Sequence, residues 1–120
     1  MDETIGHCEE ISVFLYGLQN IFGKKITDKY VHNLLDLWPK FLRLGIIDVL
    51  ETIKKQKKKD KCVKAVIYTN NMGPRRWTML IKDYLEKKIK YPIVDKVITA
   101  YRPNDRDNCR TSHNKSYNDL

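Results

Sequence analysis

Apolar residues recur at helical spacing in three segments of the chain, which predicts three amphipathic helices. The first follows Thr27 and Asp28, either of which can cap a helix, and it meets Pro39, which must end or kink the helix because proline lacks an N–H donor. The second follows Gly45, and the third follows Pro74, a residue suited to the first turn of a helix. The apolar positions are Tyr30, Leu34, Trp38 and Leu42, then Ile46, Val49, Leu50 and Ile53, then Trp77, Leu80, Ile81, Tyr84, Leu85 and Ile89.

Two shorter segments are typical of buried strands, because they are rich in β-branched residues and bounded by polar turns. They are residues 62–69, CVKAVIYT, and residues 94–101, VDKVITAY. Residues 11–23 are apolar and aromatic, and their periodicity does not decide between strand and helix. The order helix, strand, helix, strand predicts an α/β layer whose parallel strands are joined by right-handed crossovers. On this pattern Trp38 and Trp77 belong to the core.

The composition is that of one globular domain that stays in solution. The chain has 120 residues, of which 42% are hydrophobic and 10% aromatic. It lacks a run of about 20 apolar residues, and its acidic start, Met1-Asp2-Glu3-Thr4, does not resemble a signal peptide. Its three cysteines are widely spaced and odd in number, which indicates reduced thiols. We therefore expect a cytoplasmic protein with no membrane partner.

The charge balance favours an anionic partner. The 23 Lys and Arg against 15 Asp and Glu give a net charge of +8, which suits a phosphoester, a phosphoprotein or a nucleic acid without choosing among them. Much of the excess lies in residues 54–61, KKQKKKDK. We expect this run to fray from the end of the second helix as a solvated segment, with a binding patch as the alternative.

Candidate chemistry lies where the predicted strands end, since parallel sheets bind ligands beyond the carboxyl ends of their strands. Thr69 and Asn70 follow the first strand and precede a helix, where a hydroxyl, free N–H groups and the helix dipole can bind a phosphate. A simple cap is the alternative for Thr69. Arg75 and Arg76 open that helix and either meet an anionic substrate or stay solvated.

The polar segment that follows the second strand, residues 102–118, is the other place where chemistry is expected. Within it Cys109 and His113 are four residues apart. This spacing suits a pair of metal ligands, but an incidental cysteine in a polar loop is the favoured interpretation because a second pair is missing.

Three segments together resemble the haloacid dehalogenase (HAD) superfamily of hydrolases: MDETIGH at the start, VIYTNNMGPRRWT from residue 66, and RTSHNKSYNDL at the end. The first is similar to the Asp-x-Asp-Glu-Thr motif of phosphatases that act on the C-terminal domain of RNA polymerase. The ordered set also resembles HAD-like proteins of large DNA viruses. The resemblance implies a Rossmann-like core with parallel strands and flanking helices, incomplete at both ends. Its expected parts are residues 1–8, a remnant of the first motif, residues 9–42, a mainly helical insertion, and residues 43–120, the core.

The resemblance also implies a role for each matched residue. Asp2 would be the general acid and base, and its backbone carbonyl would be a ligand of Mg²⁺. Thr69, with Asn70, would bind the phosphoryl oxygens, and Lys115 would neutralise charge on the phosphoryl group. The family's nucleophilic Asp would precede Met1, and its fourth-motif acid would follow Leu120.

Two functions follow as hypotheses. The first is a fragment of a Mg²⁺-dependent phosphatase that acts on phosphomonoesters, phosphoproteins included, in the cytoplasm of the cell or, for a viral protein, of its host. Because the nucleophile is not in the sequence, we expect this chain alone to be inactive. Saturable, Mg²⁺-dependent hydrolysis of p-nitrophenyl phosphate would contradict that. The alternative is a non-catalytic basic module of the same fold that binds nucleic acid.

Overall fold

Four helices and two short strands make up the fold. The computed structural model describes residues 4–71, 73–101, 104, 109–114 and 116–120. The helices are α1 (Cys8–Phe22), α2 (Asp28–Leu37), α3 (Ile46–Lys59) and α4 (Arg75–Ile89), and the strands are β1 (Val66–Tyr68) and β2 (Lys96–Ile98). Two 3₁₀ turns complete it, Pro39–Phe41 and Tyr117–Asp119. Residues 11–22 of the ambiguous segment are therefore helical, within α1, and Gly23 ends the helix.

The ends of the helices have local causes. The Thr27 side chain caps α2 by accepting a hydrogen bond from the Tyr30 N–H, and α2 ends before Pro39 as predicted. Gly45 precedes α3 with a φ of 81°, a left-handed conformation that glycine adopts without strain. The expectation that the lysine run frays from the helix is wrong, because α3 continues to Lys59 and its cations face the negative end of the helix dipole.

The two strands are parallel and are joined through α4, which confirms the predicted α/β layer of parallel strands. Ile67 pairs with Val97 at the centre of the register. The strands are shorter than predicted, with three residues each. Before the strands, the Asp95 N–H still donates to the Ala65 carbonyl at 2.8 Å, while the Ala65 N–H donates to the Asp95 carboxylate at 2.7 Å.

Most of the core lies between α1, α2 and α4. Its buried members are Cys8, Ile11, Leu15, Val31, Leu34, Leu35, Trp77, Leu80, Ile81, Tyr84 and Leu85. Trp77 belongs to it, as predicted, and is 8% exposed. The same prediction for Trp38 is wrong, since Trp38 is 51% exposed and packs edge-on against Phe14 and Phe41. Pro39 explains the difference, because the helix ends before Trp38 and its apolar face does not continue.

The side of the molecule formed by α3 and β1 is less covered. No residue of α3 is buried, and a groove of about 310 Å³ lies between its apolar face and β1. Polar contacts add to the packing of Ile47 and Leu50 of α3 against the core. Lys54 Nζ donates to the Ile89 carbonyl at 2.6 Å, and Lys57 Nζ donates to the Ile93 carbonyl at 2.7 Å and to the Asp95 carboxylate. Two lysines of the run are therefore structural, which neither interpretation of the run had included.

No helix among the described residues is long and apolar enough to cross a membrane. Cys8, Cys62 and Cys109 form no disulfide bond.

Candidate functional site

Thr69 lies directly after β1, at the carboxyl edge of the parallel sheet. Its N–H donates to the Ile98 carbonyl at 3.0 Å, which continues the strand pairing by one residue. Its side chain is fully buried. Its hydroxyl oxygen accepts a hydrogen bond from the Asn71 N–H at 3.0 Å, and its hydroxyl hydrogen has no acceptor among the residues that the structure describes. The described residues therefore use the Thr69 hydroxyl as an acceptor and not as a donor.

The loop after Thr69 is a hydrogen-bonded turn that leads into α4. The Asn71 side-chain oxygen accepts a hydrogen bond from the Gly73 N–H at 2.7 Å, and Pro74 precedes the helix. Asn70 is exposed at the tip of the loop. A side chain at Gly73 would place its Cβ 2.7 Å from that Asn71 oxygen, so glycine suits this tight turn. The sequence prediction of a strand, a polar turn and a helix is confirmed here.

The two arginines that open α4 are occupied with the protein itself. Arg75 Nη1 donates to the Val97 carbonyl at 3.3 Å. Arg76 Nη2 donates to the Ile26 carbonyl at 2.7 Å and to the Asp28 carboxylate at 2.8 Å, which ties the start of α4 to the start of α2. Both arginines therefore make structural contacts, whereas the sequence had suggested substrate contact or plain solvation.

A second threonine lies at the neighbouring strand end, and sequence reasoning did not single it out. Thr99 follows β2, is buried and pairs in parallel with Cys109. Its carbonyl accepts a hydrogen bond from the Arg110 N–H at 3.1 Å. Residues 97–101, VITAY, contain this threonine. Because the predicted strand continued to Tyr101, Thr99 was not expected at the carboxyl edge of the sheet.

Asp119 anchors the C-terminal turn to β1, and its role was also missed. The buried carboxylate accepts hydrogen bonds from the Tyr68 hydroxyl at 2.5 Å, from the N–H and hydroxyl of Thr111 at 3.0 and 2.8 Å, and from the Ser116 N–H at 3.2 Å. The Tyr68 hydroxyl, followed by the Thr111 donors, holds the pKa of Asp119 well below its ordinary value. Burial raises the pKa of Tyr68, and the bond to Asp119 raises it further.

The other two predicted site residues, Asp2 and Lys115, lie outside the described residues. Ser116, the residue after Lys115 in the sequence, donates its N–H to the Tyr68 hydroxyl at 2.9 Å. Arg110 is buried, and its Nε has no hydrogen-bond partner in the part of the chain that the structure describes.

The described residues do not fit a metal site by themselves. No three His, Cys, Asp or Glu side chains among them come together in a way that could hold a metal ion. The Cys109–His113 pair belongs to no such group: the thiol donates to the Arg110 carbonyl at 3.4 Å, and the His113 ring packs against Tyr101. The Mg²⁺ ligand expected from the resemblance, the Asp2 carbonyl, lies outside the described part of the chain.

Comparisons with protein-family models, with curated proteins and with solved structures found no match for this chain.

Proposed function

We propose that the loop after β1 binds a phosphoryl group, and that the chain carries the phosphate-binding part of a HAD-type phosphatase that acts on cytoplasmic phosphomonoesters, phosphoproteins included. The observation that carries the proposal is the Thr69 hydroxyl. It is buried at the carboxyl edge of a parallel strand, its hydrogen has no acceptor among the described residues, and the turn after it leads into α4. A hydroxyl donor and a helix N-terminus at one point are the elements of a phosphate site.

The roles in this proposal combine the geometry with the resemblance. The Thr69 hydroxyl donates to a phosphoryl oxygen, and the exposed turn at Asn70 lets the phosphoryl group approach the backbone. Asp2 would protonate the leaving group, and Lys115 would neutralise the charge of the phosphoryl group. The attachment of Ser116 to Tyr68, the residue before Thr69, supports the role of Lys115 because it joins the two motifs. In the family the hydrolysis passes through an aspartyl-phosphate, and Mg²⁺ offsets the developing negative charge.

The proposal is tested by phosphate binding to Thr69→Val. Valine keeps the buried shape and removes the hydroxyl, so the dissociation constant for inorganic phosphate should rise about tenfold or more, as expected for a lost bond to a charged ligand. Isothermal titration calorimetry measures it. The matched control is Thr52→Val, which removes an exposed hydroxyl on α3 that bonds only to the Asp48 carbonyl. Equal affinities of the wild type and Thr69→Val, or an equal loss in Thr52→Val, would contradict the proposal.

A further inference from the structure

An open groove lies between the end of α1 and the start of α4. It has a volume of about 600 Å³ and is lined by Tyr16, Gln19, Lys24, Lys25, Arg76 and Trp77, among others. We call it the α1–α4 groove. It is formed because Gly23 ends α1 in a left-handed conformation, with a φ of 61°, and the chain turns so that the two lysines follow directly.

The charged residues that line the groove are all cationic. No acidic residue lines it. Lys24 and Lys25 are exposed, and neither side chain has a hydrogen bond or an ion pair among the described residues. Arg76 adds a third cation, although its guanidinium already binds Asp28. A concave surface with one sign of charge concentrates ligands of the opposite sign.

Trp77 and Tyr16 give the groove an aromatic wall. The Trp77 Nε1 is buried and has no partner, one of two such side-chain atoms in the part of the chain that the structure describes. The Arg76 guanidinium lies over the Trp77 ring, 5.1 Å from the ring centroid. The Tyr16 and Trp77 rings form a T-shaped pair with their centroids 6.1 Å apart. Tyr16 is 43% exposed.

From these observations we infer that the α1–α4 groove binds single-stranded nucleic acid. Its lysines contact backbone phosphates, and the Tyr16 ring stacks on a base, the combination that single-strand-binding surfaces use. The groove is open and shallow, which suits a polymer rather than an enclosed small molecule. The aromatic wall favours a nucleic acid over an acidic phosphopeptide, which needs only the cations. The inference concerns a surface apart from the Thr69 loop and does not rest on the proposed phosphatase function.

The test is fluorescence anisotropy of a labelled twelve-residue oligothymidylate over a range of salt concentrations. The double variant Lys24→Glu/Lys25→Glu should bind about tenfold more weakly or worse, and its salt slope should fall by about one for each lysine. The control, Lys55→Glu/Lys59→Glu, makes the same change of net charge on the exposed face of α3 and should alter affinity less than about threefold. Tyr16→Leu should cost about fivefold or more through lost stacking.

The fluorescence of Trp77 shows whether the oligonucleotide binds at the α1–α4 groove. In Trp38→Phe, which removes the exposed tryptophan far along the chain, the remaining Trp77 fluorescence should change when the oligonucleotide binds. Equal losses in the two lysine double variants, or unchanged Trp77 fluorescence at saturation, would overturn the inference. So would tighter binding of a doubly phosphorylated peptide of the same length than of the oligonucleotide.

Discussion

The helical layer and the sheet layer of this molecule are held together by different physical interactions. In the layer formed by α1, α2 and α4, apolar side chains such as Leu15 and Leu35 are completely buried. In the layer formed by α3, β1 and β2, the strands bury Ile67, Val97 and Ile98, but α3 buries no residue. Lys54 and Lys57 of α3 donate hydrogen bonds to backbone carbonyls, and the Asp119 carboxylate accepts one from the Tyr68 hydroxyl. The candidate site at the strand ends is therefore supported on one side by α4, which packs in the apolar core, and on the other by the hydrogen bonds of Asp119, whose strength depends on pH.

The largest expected effect on stability comes from the same leucine-to-alanine substitution made in each of the two layers. Leu35→Ala in α2 empties a fully buried position and should lower the free energy of unfolding by about 3 to 4 kcal/mol. Leu50→Ala in α3, where the side chain is only partly buried, should cost about 1 kcal/mol. Urea denaturation measures both. Equal losses would remove the distinction between the layers.

A pair of lysines tests the polar support of the second layer. Lys57 is 8% exposed in its side chain and binds Asp95 and the Ile93 carbonyl, so Lys57→Met should cost about 1 to 3 kcal/mol. Lys55 is exposed in the same helix, and Lys55→Met should change the free energy of unfolding by less than about 0.5 kcal/mol. If Lys57→Met were as harmless as Lys55→Met, the lysine run would be a solvated surface after all.

Acid should loosen the sheet layer before the helical layer. The folded pKa of Asp119 lies below its unfolded value of about 3.9, so its contribution to stability is complete above that value and is lost as the pH falls through the folded pKa. We expect amide hydrogen exchange near Tyr68 and Thr111 to accelerate below about pH 4, while amides of α2 keep their protection. In Asp119→Asn this additional acid response should be absent. Its persistence would show that another group causes it.

Local features of the fold could be predicted from the sequence. Thr27 and Pro39 mark the two ends of α2, because a side-chain cap and the lack of an N–H donor in proline both act within a few residues. The parallel strand pair joined through α4 followed from the order of elements, and Thr69 was placed at a strand end. Whether that threonine belongs to a phosphatase stays a prediction.

Features that depend on tertiary contacts could not be predicted. Segment 11–23 is apolar on more than one side, and its helical state is accompanied by packing of Ile11 and Leu15 in the core. The anchoring of Asp119 joins residues 51 positions apart in sequence, and no local pattern indicates such a bond. The α1–α4 groove likewise depends on how two distant helices lie together.

A nuclear magnetic resonance titration of the ¹⁵N-labelled chain with inorganic phosphate tests most directly whether the loop after β1 binds a phosphoryl group. We expect saturable chemical-shift changes centred on the amides of Thr69, Asn70 and Asn71, and the loss of those changes in Thr69→Val. Saturable shifts centred elsewhere, or shifts that persist unchanged in Thr69→Val, would contradict the proposal.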